Sequence, residues 1–421
     1  MTERESPRGP LHGVRVVELA TTLMAPYACQ ILGDLGAEVV KVETHEGDPS
    51  RFMAGGGHPQ LSGAAVNLHR NKRSLAVDLK QPQGSAVLDR LLKRADVLVT
   101  NMRPSALMRL GLDYEQLAER HSHLVYVEAR GFSRDSDRAD EAAYDDTIQA
   151  LSGIPRLNET LGLGVSFVPV LLADKVSGLA IVQGVLAALL ERAGSGRGQR
   201  VEIAMLDYLV SFALTDHLGA AAFPGGRVGY SRILTANRGP HRTADGWIAI
   251  MPYLDRHWRV LFDHVGAGAL LDAPEHADMA IRHRHADVVY GQLKQIVAER
   301  TTQEWLVICR ELDVPVAEVP ALEEIIEGGD LYDGAVTWQH HPVVGDYRAI
   351  RQPIRFSQTP ASAAPLPAPL VGQDSLELLA ELGFDESASR ELLATGVVLF
   401  QDAATVVTPA PVTGSSAQQA S

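Results

Sequence analysis

Short β-branched runs alternate with helix-periodic segments along the first half of the chain. Val14 to Leu19 reads as a strand, Ala25 to Leu35 as a helix with Pro26 in its first turn, and Glu38 to Glu43 as a second strand. The alternation continues with a strand at Leu75 to Leu79, a helix at Gly84 to Arg94, a strand at Asp96 to Thr100, a helix at Ala106 to Arg120 broken near Gly111, and a strand at Leu124 to Glu128. A helix near Asp145 to Leu151, a long helix from about Lys175 to Arg192, a strand at Arg200 to Ala204 and a helix at Leu206 to Ala222 follow. Repeated β-α-β units predict an α/β fold whose large domain is a parallel sheet covered by helices.

Near Phe223 the texture changes. Pro224, Gly225, Gly226 and Gly229 mark a linker, after which Trp247 to Met251 reads as a strand, and Asp255 to Val265 and Gln303 to Leu312 as helices. The predicted organisation is a large domain over residues 1–222, a smaller α/β domain over 223–335 and a return to the large domain over 336–400. The return rests on two amphipathic helices, Ser375 to Leu382 and Glu386 to Leu393, beyond a Pro/Ala-rich extended stretch from Thr359 to Pro369. Residues 401–421 are low-complexity Ala, Thr, Ser, Pro and Gln and predict a flexible tail.

Composition narrows the function classes. With 46% hydrophobic and 21% charged residues the chain is of ordinary globular type, and 38 basic against 52 acidic residues give a net charge of −14. That balance disfavours nucleic acid, so an anionic ligand needs a local basic patch. The strongly apolar stretch Gly178 to Leu190 falls short of the ~20 residues that span a membrane, and reads as a buried helix. Met1 to Pro10 lacks the apolar segment of a secretory signal, and Cys29 and Cys309 form no disulfide or metal-binding pattern, so a reducing, cytoplasmic setting is expected.

The first β-α turn, Ala20-Thr21-Thr22-Leu23-Met24-Ala25, has no glycine, which disfavours a nicotinamide fingerprint. Gly194 to Gln199 is glycine-rich but runs from helix to strand, the reverse of a phosphate loop, and reads as a C-cap and turn. His283 with His285, and His340 with His341, lack metal-ligand spacing, and no serine-hydrolase or zinc-protease signature is present. Two features stand out: the basic run Arg70-Asn71-Lys72-Arg73 before a strand, and Asp174 at the start of the long apolar helix. Asp174 reads either as a helix N-cap or, since a helix N-terminus favours ionisation and the apolar flank limits water, as a nucleophilic carboxylate.

Several segments together resemble the class III CoA-transferase family, which includes formyl-CoA transferase, carnitine CoA-transferase and the α-methylacyl-CoA racemases. They include Leu11-x-Gly13-x-Arg15-Val16-Val17-Glu18-Leu19, Leu35 to Glu43, Asn71-Lys72-Arg73-Ser74, Ala95 to Val99 with Asn101-x-x-Pro104, Gly196 to Gln199 and Glu381 to Phe384. The resemblance implies a Rossmann-like large domain, a smaller second domain and an interlocked homodimer. It implies CoA as a substrate rather than a resident cofactor, with no metal. By position it makes Asp174 the catalytic residue and assigns CoA contacts to Asn71, Lys72, Arg73, Asn101, Met102 and Arg109, with Met24, Tyr144 and Asp145 around the same ligand.

The chain departs from the formyl-CoA branch at Leu23-Met24, Thr44 and Ala142, and Asn237-Arg238-Gly239-Pro240 replaces that branch's glycine-run lid. Leu23 and Met24 hint at an acyl group more apolar than formyl or oxalyl. Tyr144 stands where the racemase branch has its second base, a histidine, which favours transfer over racemisation.

Overall fold

The structure, a computed structural model, describes residues 9–56, 58–361 and 365–403. The predicted tail lies outside them from residue 404 on. In chain order the first elements are β1 (Arg15–Leu19), α1 (Met24–Asp34), β2 (Glu38–Glu43), α2 (Gly63–Leu68), β3 (Lys72–Val77), α3 (Pro82–Leu92), β4 (Val97–Thr100), α4 (Pro104–Leu110), α5 (Tyr114–Arg120) and β5 (Val125–Arg130). They continue with α6 (Asp145–Leu151), α7 (Ile154–Thr160), α8 (Leu172–Ser195), β6 (Arg200–Ala204) and α9 (Met205–His217). Gly111, at φ +67°, takes the left-handed cap that separates α4 from α5, as its place in the pattern predicts.

The described residues divide into two compact units, those up to 148, 170–209 and those from 332 on in one, and 149–169 with 210–331 in the other. The boundary therefore falls inside α9 rather than at the Pro/Gly stretch, and a segment around α7 belongs with the second unit. Glycine and proline mark a turn there, while a continuous helix carries the chain between units.

In the first unit seven strands form one sheet in the order β12-β3-β2-β1-β4-β5-β6, where β12 is Val398–Leu399. Every pairing is parallel except that of β12 with β3. Buried Val and Leu residues on the strands feed both faces, each such side chain contributing about 1.5–3 kcal/mol on burial. On one face α3, α4 and α5 pack with α15 (Ser375–Glu381) and α16 (Glu386–Ala394) through Leu88, Leu92, Leu107, Leu117 and Leu379. On the other, α1 and α8 pack against each other and the sheet.

Helix α8 runs for 24 residues and is apolar and long enough to cross a membrane by length and composition, longer than the stretch read from the sequence. One side is instead buried through Ala173, Ser177, Ala180, Ile181, Val185 and Ala188, and the helix lies on α1, β5 and β6. The antiparallel hairpin β10 (Val336–His341) and β11 (Gly345–Ile350), which the sequence reading missed, completes this unit over a small core of Leu61, Val66, Tyr347 and Leu370.

The second unit is a three-stranded antiparallel sheet, β7 (His241–Arg242), β8 (Trp247–Ile250) and β9 (Val316–Glu318), with α10 (Asp255–His264), α11 (Met279–Arg284), α12 (Ala286–Val297), α13 (Thr302–Glu311) and α14 (Leu322–Glu327). Its core is built on Trp258, Phe262, Leu293 and Trp305, whose indole N–H is satisfied by the Val297 carbonyl at 2.8 Å.

Candidate active site

The strand order reverses between β1 and β4, and in doubly wound sheets the crevice beyond the carboxyl ends of such strands is where ligands bind. The loops there are locked together. The Thr21 amide donates to Asn101 Oδ1 at 3.0 Å, and Asn101 Nδ2 donates to the Thr21 carbonyl at 2.8 Å. Thr22 holds a left-handed φ of +75° while its amide donates to Asp48 Oδ1 at 2.9 Å. Side chains thus impose on this turn a shape that glycines supply in dinucleotide folds.

Beneath the loop lies a buried charge network. Lys41 Nζ meets Glu18 Oε1 at 2.7 Å, Asp48 Oδ2 at 2.6 Å and the Ala20 carbonyl at 2.9 Å. Lys72 pairs with the other Glu18 oxygen at 2.7 Å and donates to the Pro26 carbonyl at 2.8 Å. Burial pushes the Glu18 carboxyl up, but Lys41 and Lys72 outweigh it and hold it below its ordinary value.

Asp174 stands in the first turn of α8, which starts at Leu172 with Leu171 as its N-cap. The N-cap reading is therefore corrected: Leu172 and Ala173 are good helix formers and extend the helix past the aspartate. Two glycines set its surroundings. A Cβ on Gly178 would come within 2.9 Å of both the Met24 carbonyl and the Tyr27 ring, so this glycine lets α8 close on the start of α1. A Cβ on Gly131 would overlap that of Ala143 at 2.0 Å, so Gly131 lets the loop after β5 fold in ahead of Asp145.

The half-buried Asp174 has its amide 3.1 Å from Asp145 Oδ1. Burial first, then the charges of Asp145 and Asp146, push its carboxyl up to about 7. A helix N-terminus favours ionisation, while desolvation and the two like charges push the other way. One turn on, Ser177 Oγ is buried without a hydrogen-bond partner, on the face that spacing gives to Asp174.

The other residues singled out by the sequence fall into two groups. The run 70–73 is no open basic patch. Arg70 is buried against Asp34 at 2.6 Å, Lys72 is sealed in the network, and Arg73 grips Glu381 through two bonds of 2.9 and 3.0 Å. Asn71, at φ +59°, bonds Asp34 through its side-chain amide at 2.8 Å and accepts from the Leu366 amide at 2.8 Å. These side chains are committed within the fold, since a strand begins at Lys72 rather than Leu75 and turns it inward.

Met24 is buried at the start of α1, and Met102 packs on the core of the sheet. Asn101 is a loop clamp. Tyr144 is exposed, with its backbone amide held by Thr147 Oγ1 at 3.0 Å. Arg109 is exposed on α4, and so is Arg103 just before it, which the sequence reading missed although it directly follows Asn101-Met102. Neither arginine joins an ion pair among the described residues, and both lie near enough to help lower the pKa of Asp140, after its hydrogen bonds with Ser105. Among the described residues, no group of three or more His, Cys, Asp or Glu side chains is arranged to hold a metal ion.

The doubly wound sheet thus carries a half-buried carboxylate at the start of a core helix and, past β4, two exposed arginines without an ion pair among the described residues. The sequence matches CoA-transferase family III over residues 11–375, and the chain belongs to that family of class III CoA-transferases. It is 31% identical to the succinate–glutarate CoA-transferase of Agrobacterium fabrum, over 91% of this chain and 98% of that one. It is 28% identical to the formyl-CoA:oxalate CoA-transferase of Streptomyces avermitilis, over 92% and 99%. A CaiB/BaiF family protein from Brucella suis superposes with a TM-score of 0.74 at 26% identity, covering 89% of this chain and all of that one. A Mycobacterium tuberculosis structure gives 0.76 at 26% identity over the same shares.

Proposed function

We propose that the protein moves CoA from an acyl-CoA to a free carboxylic acid through covalent intermediates on Asp174. The Asp174 carboxylate attacks the thioester carbonyl and expels CoA thiolate, leaving a mixed anhydride. The thiolate attacks the aspartyl carbonyl, releases the donor acid and forms an aspartyl-CoA thioester. The acceptor carboxylate attacks that thioester, expels the thiolate and forms a second anhydride. The thiolate then takes the acceptor acyl group and frees Asp174. One thioester replaces another, so the cycle needs no ATP.

The observation that carries this reading is the half-buried Asp174 with a carboxyl pushed up to about 7 by burial, Asp145 and Asp146. Such a carboxylate is more basic than a solvated one and still ionised in a substantial fraction at neutral pH. Arg103 and Arg109 are the exposed cations we assign to CoA phosphates, and Asn101 keeps the adjoining loop in place. The named relatives, which pair different acids, support the reaction class and leave the acid pair of this protein open.

The test is to incubate the protein with mixed acyl-CoAs and carboxylates, without ATP, and identify products by mass spectrometry. New acyl-CoAs formed from added acids are expected. Hydrolysis alone would refute transfer. Rapid α-deuterium uptake by a 2-methylacyl-CoA in deuterium oxide, with loss of stereochemistry, would favour racemisation.

A further inference from the structure

One cluster of the second unit gathers Arg232, Arg238, Arg282 and His283. Arg232, in the segment before β7, is 93% buried by its 7% exposure, and its Nε has no hydrogen-bond partner. Its guanidinium lies 5.2 Å from the Tyr253 ring centre, with a terminal nitrogen 3.1 Å from Met251 Sδ. Arg282, also buried, has Asp255 as counterion and the His276 carbonyl as acceptor. His283 sits edge-on to Tyr230 at 5.9 Å and 6.2 Å from Tyr253. The ion pairs of this unit among the described residues join Arg156 to Glu159, Arg256 to Asp313 and Arg282 to Asp255; neither Arg232 nor Arg238 takes part. Asp287 spends its carboxylate on Thr235 and Asn237.

A guanidinium keeps its charge at any physiological pH, so its burial among a thioether and an aromatic ring with no anion is costly unless something pairs with it. After burial, the field of Arg232 also lowers the pKa of Arg238, and the fields of Arg232 and Arg282 lower that of His283, so the cations crowd one another. The cleft beside Arg232 is walled by Pro252, Tyr253, Val289 and Tyr290 on one part and by Arg282 and His283 on another, and admits one water-sized group.

We propose that Arg232 anchors a binding site for the carboxylate of a small organic acid, whose chain lies on the aliphatic and aromatic wall. One oxygen of a planar carboxylate fills that water-sized space against the guanidinium fork while its chain stays outside, whereas a tetrahedral phosphate turns further oxygens toward Pro252, Tyr253 and Val289. The acid is either one of the reaction's own acids or a separate one that modulates the enzyme, and both present the same chemistry.

The full chain is melted in rising pentanoate, glutarate or inorganic phosphate. Pentanoate is expected to raise Tm saturably, with the shift lost in Arg232→Met and partly kept in Arg232→Lys, while phosphate has little effect. Without ligand, Arg232→Met should melt no lower than wild type, because an uncompensated buried charge has gone. A variant that melts well below wild type makes Arg232 a structural cation. A shift retained in Arg232→Met places the acid elsewhere, phosphate stabilisation equal to pentanoate makes the ligand a phosphate, and no shift with any acid removes the site; each result overturns the proposal. In the exchange assay a substrate acid shows its KM raised about tenfold or more in Arg232→Met, whereas a separate acid changes the wild-type rate without entering the acyl-CoA product. The melting readout does not depend on Asp174 or on transfer.

Discussion

Beneath the loop after β1, Glu18 and Asp48 share Lys41 and Lys72, so each buried acid meets a base. At the start of α8, by contrast, the charges acting on Asp174 are those of Asp145 and Asp146, both of its own sign. The two regions belong to one unit and flank α1, yet their electrostatics serve different ends. Balanced charge fixes a backbone shape, here the glycine-free turn at Thr22. Unbalanced charge raises the pKa of the Asp174 carboxyl, and perturbed pKa values of this kind cluster at functional sites.

The comparison breaks most visibly at Asp174. Asp174→Asn should fold, bind CoA and lose transfer by roughly four orders of magnitude in kcat; steady-state exchange kinetics would show it, and near-normal turnover would move the nucleophile elsewhere. In the balanced region the loss should appear as stability. Lys72→Met leaves Glu18 and Asp48 to share one lysine and should cost about 3–5 kcal/mol in urea unfolding. That outcome replaces the expectation that Lys72 and Arg73 hold CoA phosphates. A stable Lys72→Met protein with weakened CoA binding would restore it.

Protonation sharpens the contrast. Transfer needs ionised Asp174, so activity should rise with pH through about 7. Stability should run the other way. The folded pKa lies above the ordinary 3.8, so the fold holds a proton that the unfolded chain releases, and stability falls between about pH 4 and 7. Asp145→Asn removes the second-ranked cause and should move the acid limb of the activity profile down by about one unit, while burial keeps it above a solvated aspartate. The smallest effect is expected at Arg109. Arg109→Ala should weaken CoA by about 1 kcal/mol and flatten the salt dependence of binding, because an exposed pair with phosphate is screened over ~8 Å at physiological ionic strength.

Much of the sheet was legible because buried parallel strands are apolar runs: β2 and β6 begin and end where the pattern places them. Strand β3 begins three residues early, since Lys72, Arg73 and Ser74 are polar and enter the sheet only through partners at Glu18, Glu381 and Glu43 that lie far off in sequence. The β10–β11 hairpin was missed because Thr337-Trp338-Gln339-His340 lacks a clean alternation. Asp174 could be found from its place before an apolar helix. Its carboxyl near 7 could not, because Asp145 and Asp146 reach it through the loop that Gly131 allows to fold in.

The covalent role of Asp174 is tested most directly by trapping. Hydroxylamine added during turnover attacks an acyl-activated aspartate and leaves a hydroxamate, visible as a mass change on the peptide that carries it. The account predicts inactivation that requires acyl-CoA, with the adduct on Asp174. An adduct on Asp145 or Asp146, or steady exchange of acids with no trapped carboxyl, would contradict it.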